Sequence, residues 1–124
     1  MANDAGDGTI VRLVRDNLAY CQFWTELCVC DRTLAWRDQT LHLISGRPTQ
    51  KLSHDGDEEI HTEYVLPVEM SQYKKGYVTL ECLDKVFCQM CPPSASRLTL
   101  AIVSNDGTVA FYYVYKGLHK PKRN

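Results

Sequence analysis

The alternation of apolar and polar residues predicts two amphipathic helices. Apolar side chains recur with helical spacing over residues 10–28, which predicts a first helix that ends near Asp31. The same spacing over residues 78–90 predicts a second helix, and Pro92–Pro93 prevents its continuation. The stretch between these helices has shorter apolar runs, which favour strands.

Four short runs predict a sheet: residues 40–44, 64–68, 97–103 and 108–116. Pro67 lacks a backbone N–H, so the second run is expected at a sheet edge or in an irregular strand. Asp106–Gly107 between the last two runs is typical of a β-hairpin. The pattern therefore predicts one α+β domain, in which a mixed sheet of four or five strands packs with two helices and ends in a hairpin.

The last predicted strand is apolar or aromatic on both faces. One face carries Val109, Phe111, Tyr113 and Tyr115, and the other carries Ala110, Tyr112 and Val114. Such a strand needs cover on both sides. The two helices of the chain and a partner protein are alternative sources of that cover, and the pattern does not choose between them.

Length and composition limit the chain to one domain. The 124 residues, 44% of them hydrophobic and 23% charged, are ordinary for a globular protein. We expect a flexible polar leader over residues 1–8, a folded domain over 9–116 and a basic tail over 117–124. The start of the chain has no positive n-region followed by an apolar segment, and no stretch is long enough to span a membrane. An intracellular protein without a membrane partner is expected.

Charge argues against nucleic-acid binding by the protein as a whole. The formal net charge is −1, so any basic surface has to be local. The segment from residue 116 onwards concentrates positive charge in side chains that would be able to contact RNA phosphates, namely Lys116, Lys120, Lys122 and Arg123. The more ordinary alternative is that this tail is simply solvated.

The cysteine and histidine residues are candidates for a metal site. Two cysteine pairs would be able to bind zinc, Cys28 with Cys30 and Cys88 with Cys91. Most cysteines fall in predicted helices, so their role as small buried hydrophobic residues is preferred, and no disulfide framework is expected in a reducing compartment. His54 and His61 flank the acidic residues of the exposed loop 47–59, where solvation is favoured over metal binding.

No motif for a cofactor is present, because the glycines form no phosphate-binding loop. A metal-free ribonuclease needs only tyrosine, histidine and lysine as acids and bases. His61, Tyr77 and Lys116 supply those residue types here. An autonomous RNA-cleaving enzyme is therefore one alternative, and a small zinc-binding interaction module is another.

Residues 98–114 resemble the C-terminal hairpin of the tRNA-splicing endonuclease family, and most closely that of its smallest, non-catalytic subunit in eukaryotes. The resemblance extends more faintly over residues 10–116. In that family the acidic hairpin turn enters a basic cleft of a neighbouring dimer, and the last strand pairs with that of a sister subunit. The resemblance implies a docking turn made of Ser104, Asn105, Asp106 and Gly107, and a pairing strand with Val109, Phe111, Tyr113 and Tyr115.

The resemblance also implies that this chain is not itself an enzyme. Catalytic members carry a lysine just before the penultimate strand, where this chain has about Ser96, beside Arg97. No Tyr-Pro-Gly-Asp motif followed by histidine precedes that position. The implied role is a structural subunit of a nuclear complex that removes introns from precursor tRNA. Its partners would be sister subunits, with indirect contact to tRNA and a homodimer when the chain is isolated.

Overall fold

A computed structural model describes residues 5–37, 39–49, 62–93 and 95–116 of the chain. The elements in chain order are α1 Ala5–Tyr20, β1 Thr25–Trp36, β2 Gln39–Arg47, β3 Glu63–Glu69, α2 Met70–Lys74, α3 Leu80–Gln89, β4 Arg97–Val103 and β5 Val109–Tyr115. The predicted α+β class with a mixed sheet is confirmed. Helix α1 begins at Ala5, inside the leader expected over residues 1–8. The loop expected over 47–59 lies mostly outside the described residues.

The five strands form one sheet in the order β1-β2-β3-β4-β5. Neighbouring strands are antiparallel except β3 and β4, which run parallel. A parallel pair needs a crossover, and α2 and α3 provide it. The predicted hairpin is the β4–β5 pair, whose register runs from Arg97 opposite Tyr115 to Val103 opposite Val109 without a bulge.

The first helix is shorter than the sequence pattern predicts. It ends at Tyr20 rather than near Asp31, and residues 25–36 form β1. The chain turns at Phe23, whose φ of 61° is left-handed, and the Trp24 N–H donates to the Leu18 carbonyl at 2.8 Å. Left-handed backbone after the last turn is a common way to end a helix, although glycine usually supplies it.

The expectation that Pro67 marks an edge or irregular strand is wrong, because β3 is the middle strand of the sheet. The pairing between β2 and β3 ends at Val65, opposite Ile44. Pro67 lies beyond this pairing and has Ala101 of β4 as its neighbour in the parallel register. An internal strand therefore accommodates proline where one of its two ladders has already ended.

Each face of the sheet carries its own core. On one face α1 packs Val14 and Leu18 against Ile44 and Val65, among others. On the other face α3 packs buried side chains against residues that alternate with these along the strands, including Leu43, Leu66, Leu98 and Leu100. Alternation along a strand sends successive side chains to opposite faces, so the central strands are mostly apolar on both faces.

Helix α3 confirms the second predicted helix. Its N-cap is Thr79, whose hydroxyl oxygen accepts the Cys82 N–H at 3.1 Å. The helix ends at Gln89, just before Pro92–Pro93. The five-residue α2 was not predicted. Within the part of the chain that the structure describes, no helix combines the length and the hydropathy needed to cross a membrane.

Candidate assembly interface

The β4–β5 hairpin turn is built by its own backbone. The Ser104 N–H donates to the Thr108 carbonyl at 2.8 Å, and the Gly107 N–H donates to the Ser104 carbonyl at 3.0 Å. Gly107 has a φ of 90°, a conformation that a residue without a Cβ adopts easily. The four residues expected to dock therefore form a closed turn, in which Asn105 and Asp106 are exposed.

Asp106 carries the one carboxylate of this turn. Its Oδ1 accepts the Thr108 N–H at 3.0 Å. That hydrogen bond lowers the pKa of the Asp106 carboxyl group, because it stabilises the ionised form. The exposed tip of the hairpin therefore carries a full negative charge at neutral pH.

Strand β5 is an edge of the sheet and is only partly covered. Val109 and Phe111 pack against the α1 core, and Val114 packs against the α3 core. The three tyrosines of β5 are exposed, Tyr112 by 56%, Tyr113 by 41% and Tyr115 by 40%. Each face of β5 thus carries side chains that pack against the protein's own cores together with exposed tyrosines.

The two edges of the sheet differ in regularity. Strand β1, at the opposite edge, has register shifts between Thr25 and Cys28 and between Val29 and Thr33, and Glu26 has a φ of 56°. Its exposed residues include Asp31 and Arg32. Bulges and charges protect an edge strand from pairing with other chains. β5 has neither feature, so it is the edge suited to accept another strand.

A small recess lies beside the aromatic rings of β5. It is lined by Leu18, Gln22, Trp24, Thr99, Phe111 and Tyr113. The Thr99 side-chain hydroxyl is buried there and has no hydrogen-bond partner among the described residues. Sequence reasoning missed this surface because it placed residues 20–24 inside a helix, whereas the structure leaves Tyr20 and Phe23 exposed after the helix has ended.

The residues at the expected catalytic position serve the fold. Ser96 is exposed, and its carbonyl accepts the Lys116 N–H at 2.9 Å. Arg97 is buried and forms a two-pronged ion pair with Glu63, with N–O distances of 2.8 and 3.2 Å. Its guanidinium also lies 4.8 Å from the centre of the Tyr113 ring. Arg97 therefore links β3, β4 and β5, and its charge is already compensated.

Comparison with known proteins supplies the family. The family model for the Sen15 protein matches residues 13–124, which is most of the chain. The chain belongs to the Sen15 family. One relative, from Eremothecium gossypii, is 52% identical over 115 residues, which cover 93% of this chain and 91% of the relative. That relative is named tRNA-splicing endonuclease subunit SEN15.

The other candidate sites of this Sen15-family chain do not come together. Tyr77 contacts Trp36 at one end of the sheet through a hydrogen bond from the indole N–H to the Tyr77 carbonyl at 2.7 Å. Lys116 follows β5 at the opposite end, beside the start of β4. His61 lies outside the described residues, as do Lys120, Lys122 and Arg123.

The cysteine pairs proposed for zinc lie on different elements. Cys28 and Cys30 belong to β1, contrary to the helical placement expected for Cys28, and Cys88 lies on α3, with Cys91 just after it. No cluster of three or more metal-binding side chains occurs among the described residues. Burial, with neighbouring Cys30, raises the pKa of the Cys91 thiol to about 11, so this thiol is protonated at neutral pH in the metal-free protein.

Proposed function

We propose that this chain is a non-catalytic, structural subunit of the tRNA-splicing endonuclease, which removes introns from precursor tRNA. The name of the Eremothecium gossypii relative supports the choice of complex. The observation that carries the structural role is the β5 edge, a regular aromatic strand next to a turn with an ionised carboxylate. A surface of this kind is suited to protein association rather than to chemistry.

Strand pairing is the first part of the proposed assembly. An edge strand presents unpaired backbone donors and acceptors, and a sister strand that pairs with it satisfies them. Val109 and Phe111 are already held by the α1 core, which fixes the backbone of β5 before a partner arrives. Tyr113 and Tyr115 extend the same face into solvent, where a partner would bury them.

Docking of the hairpin turn is the second part. Ser104, Asn105, Asp106 and Gly107 would enter a basic pocket of a neighbouring subunit, with Asp106 supplying the charge. One carboxylate gives a smaller electrostatic attraction than two, so strand pairing is expected to dominate the affinity. The contribution of the turn should weaken as salt concentration rises.

The same geometry supports a non-catalytic role for this chain. Arginine stays protonated at physiological pH, and Arg97 is buried against Glu63, so it is unsuited to donate a proton to a leaving group. Tyr77 and Lys116 lie at opposite ends of the sheet and would be unable to act on one phosphodiester. We propose that sister subunits supply the catalytic residues and most tRNA contacts, and that the complex is nuclear.

Co-purification with the sister subunits tests the pairing strand. Changing Tyr113 and Tyr115 together to glutamate should abolish recovery of the partners, because two charges would be buried at the interface. The matched control is Tyr73→Glu, which alters an exposed tyrosine on α2, away from β5. Recovery of partners at normal stoichiometry by the folded double variant would refute the pairing proposal.

The isolated chain provides two further tests. Without sister subunits it should form a homodimer through β5, which sedimentation at micromolar concentration would detect. It should also leave precursor tRNA intact. Cleavage by the purified chain that disappears in Lys116→Ala would overturn the non-catalytic role and favour an autonomous enzyme.

A further inference from the structure

A cluster of cations and aromatic rings lies where β1 turns into β2. The Arg37 guanidinium is 5.7 Å from the centre of the Trp36 ring and 5.4 Å from that of Tyr77. The Lys75 ammonium is 5.8 Å from the same Tyr77 ring. Lys74 precedes Lys75 and is also exposed. We call these five residues the basic–aromatic patch.

The patch is held in a fixed arrangement. The Trp36 indole N–H donates to the Tyr77 carbonyl at 2.7 Å, which ties the end of β1 to the segment before α3. Cation–π contacts with both rings then restrict the Arg37 guanidinium. Arg37 itself has a φ of 58°, a left-handed conformation that is unusual for a long side chain. Trp36 pairs directly with Gln39, so Arg37 lies in a two-residue turn between β1 and β2, and hairpin turns of this length use positive φ.

The positive charge of the patch is not neutralised by the described part of the protein. No carboxylate among the described residues forms an ion pair with Arg37, Lys74 or Lys75. This includes Glu81, which lies in the first turn of α3. Arg97 differs in this respect, since its charge is compensated by Glu63. Among the described residues, the patch therefore presents exposed cations that have no carboxylate partner.

We propose that the basic–aromatic patch binds RNA through its phosphate backbone, with a base stacked against the exposed edge of the rings. Cations interleaved with aromatic side chains are the combination that single-stranded nucleic acids require. The choice of RNA over other polyanions rests on the proposed function. An RNA contact on this chain would add to the RNA contacts that the sister subunits make in the complex.

The position of the patch keeps it separate from the assembly surface. Its Trp36 and Arg37 lie at the β1 edge of the sheet, whereas β5 lies at the other edge. Four strand spacings separate β1 from β5, about 19 Å at the usual distance between strands. The basic tail after Lys116 starts at the opposite end of the sheet from the patch. RNA binding and assembly are therefore expected to respond to different substitutions.

The test uses the full chain and a short, fluorescently labelled single-stranded RNA of mixed sequence, with binding measured by anisotropy at several salt concentrations. The variant is Arg37→Gln with Lys75→Gln. The matched control, Arg12→Gln with Arg15→Gln, removes two exposed cations from α1 instead. Losing two phosphate contacts should reduce the slope of log affinity against log salt by about 1.4 and weaken binding roughly tenfold or more near 0.1 M salt.

The outcomes separate this proposal from its alternatives. Weaker binding and a shallower salt slope in the patch variant, with the control unchanged, would support it. Equal binding by the patch variant, or equal losses in both variants, would overturn it in favour of diffuse or tail-mediated attraction. Preference for an acidic peptide over RNA would also overturn it. The patch variant should still co-purify with the sister subunits at normal recovery. Loss of the sister subunits in the Tyr113 and Tyr115 variant tests the assembly proposal and not the RNA-binding proposal.

Discussion

The buried ion pair between Glu63 and Arg97 allows a prediction that distinguishes a structural arginine from a catalytic one. The two side chains are only 4% and 8% exposed, respectively. Arg97→Met would remove the guanidinium that forms the two-pronged ion pair with the buried Glu63 carboxylate. Breaking a buried pair from one side costs about 3–5 kcal/mol, a large part of the 5–15 kcal/mol typical of a whole domain.

The paired substitution should behave differently from the single one. In Glu63→Leu with Arg97→Met, no buried charge remains and apolar side chains fill similar volume. Such replacements are often neutral or stabilising, so we expect the double variant to recover most of the stability lost in Arg97→Met. The Tyr113 ring, 4.8 Å from the guanidinium, loses a cation–π contact worth about 0.5–2 kcal/mol, which limits the recovery.

Urea denaturation followed by tryptophan fluorescence measures these free energies of unfolding, since Trp24 is buried and Trp36 is half-buried. Strong coupling between the two substitutions is the expected result. A loss below about 1 kcal/mol in Arg97→Met would refute the reasoning. So would additive losses in the double variant, which would mean that the two side chains do not depend on each other.

Three further perturbations test local geometry. Thr79→Ala removes the cap that accepts the Cys82 N–H and should cost about 1 kcal/mol in urea denaturation. Thr79→Ser should restore it, and equal stability of all three proteins would contradict the cap. Gly46→Ala places a Cβ 2.6 Å from the Leu27 side chain and 3.0 Å from the Trp24 ring, and should cost about 1–3 kcal/mol by the same assay. Unchanged stability would contradict this close packing. In an NMR titration the pKa of the Asp106 carboxyl group should lie below 3.8, the ordinary value for aspartate. Because folding lowers that pKa, the ionised Asp106 carboxylate stabilises the folded state above pH 3.8, and this stabilisation is lost as the pH falls through the pKa of the folded state. A measured pKa at or above 3.8 would refute the hydrogen bond.

The hairpin was predictable because its signals are local. Asp106–Gly107 supplies the turn, and the runs on both sides have strand composition, so position and register follow from a few neighbouring residues. The second helix was predictable for a similar reason, since its apolar spacing is regular and prolines follow it. Both features need little information from distant parts of the chain.

The end of α1 was not predictable from the same kind of signal. No glycine or proline lies between Tyr20 and Thr25, and the apolar spacing continues into β1. The helix ends because Phe23 adopts a left-handed backbone conformation that glycine usually supplies. Pairing of β1 with β2 then outweighs the local helical pattern. Tertiary contacts determine this boundary, and the aromatic surface beside β5 was missed with it.

The position of α1 explains why β5 is left open to a partner. The helix packs across β1 to β4, and its core reaches β5 only through Val109 and Phe111. On the other face, the core that includes α3 reaches β5 through Val114. The helices thus cover the three central strands well and the two edge strands incompletely, which leaves Tyr112, Tyr113 and Tyr115 of β5 exposed. The two-sided apolar pattern of β5, which first allowed either intrachain cover or a partner, therefore favours both sources of cover. The cores of the chain hold Val109, Phe111 and Val114, and a sister subunit covers the exposed tyrosines.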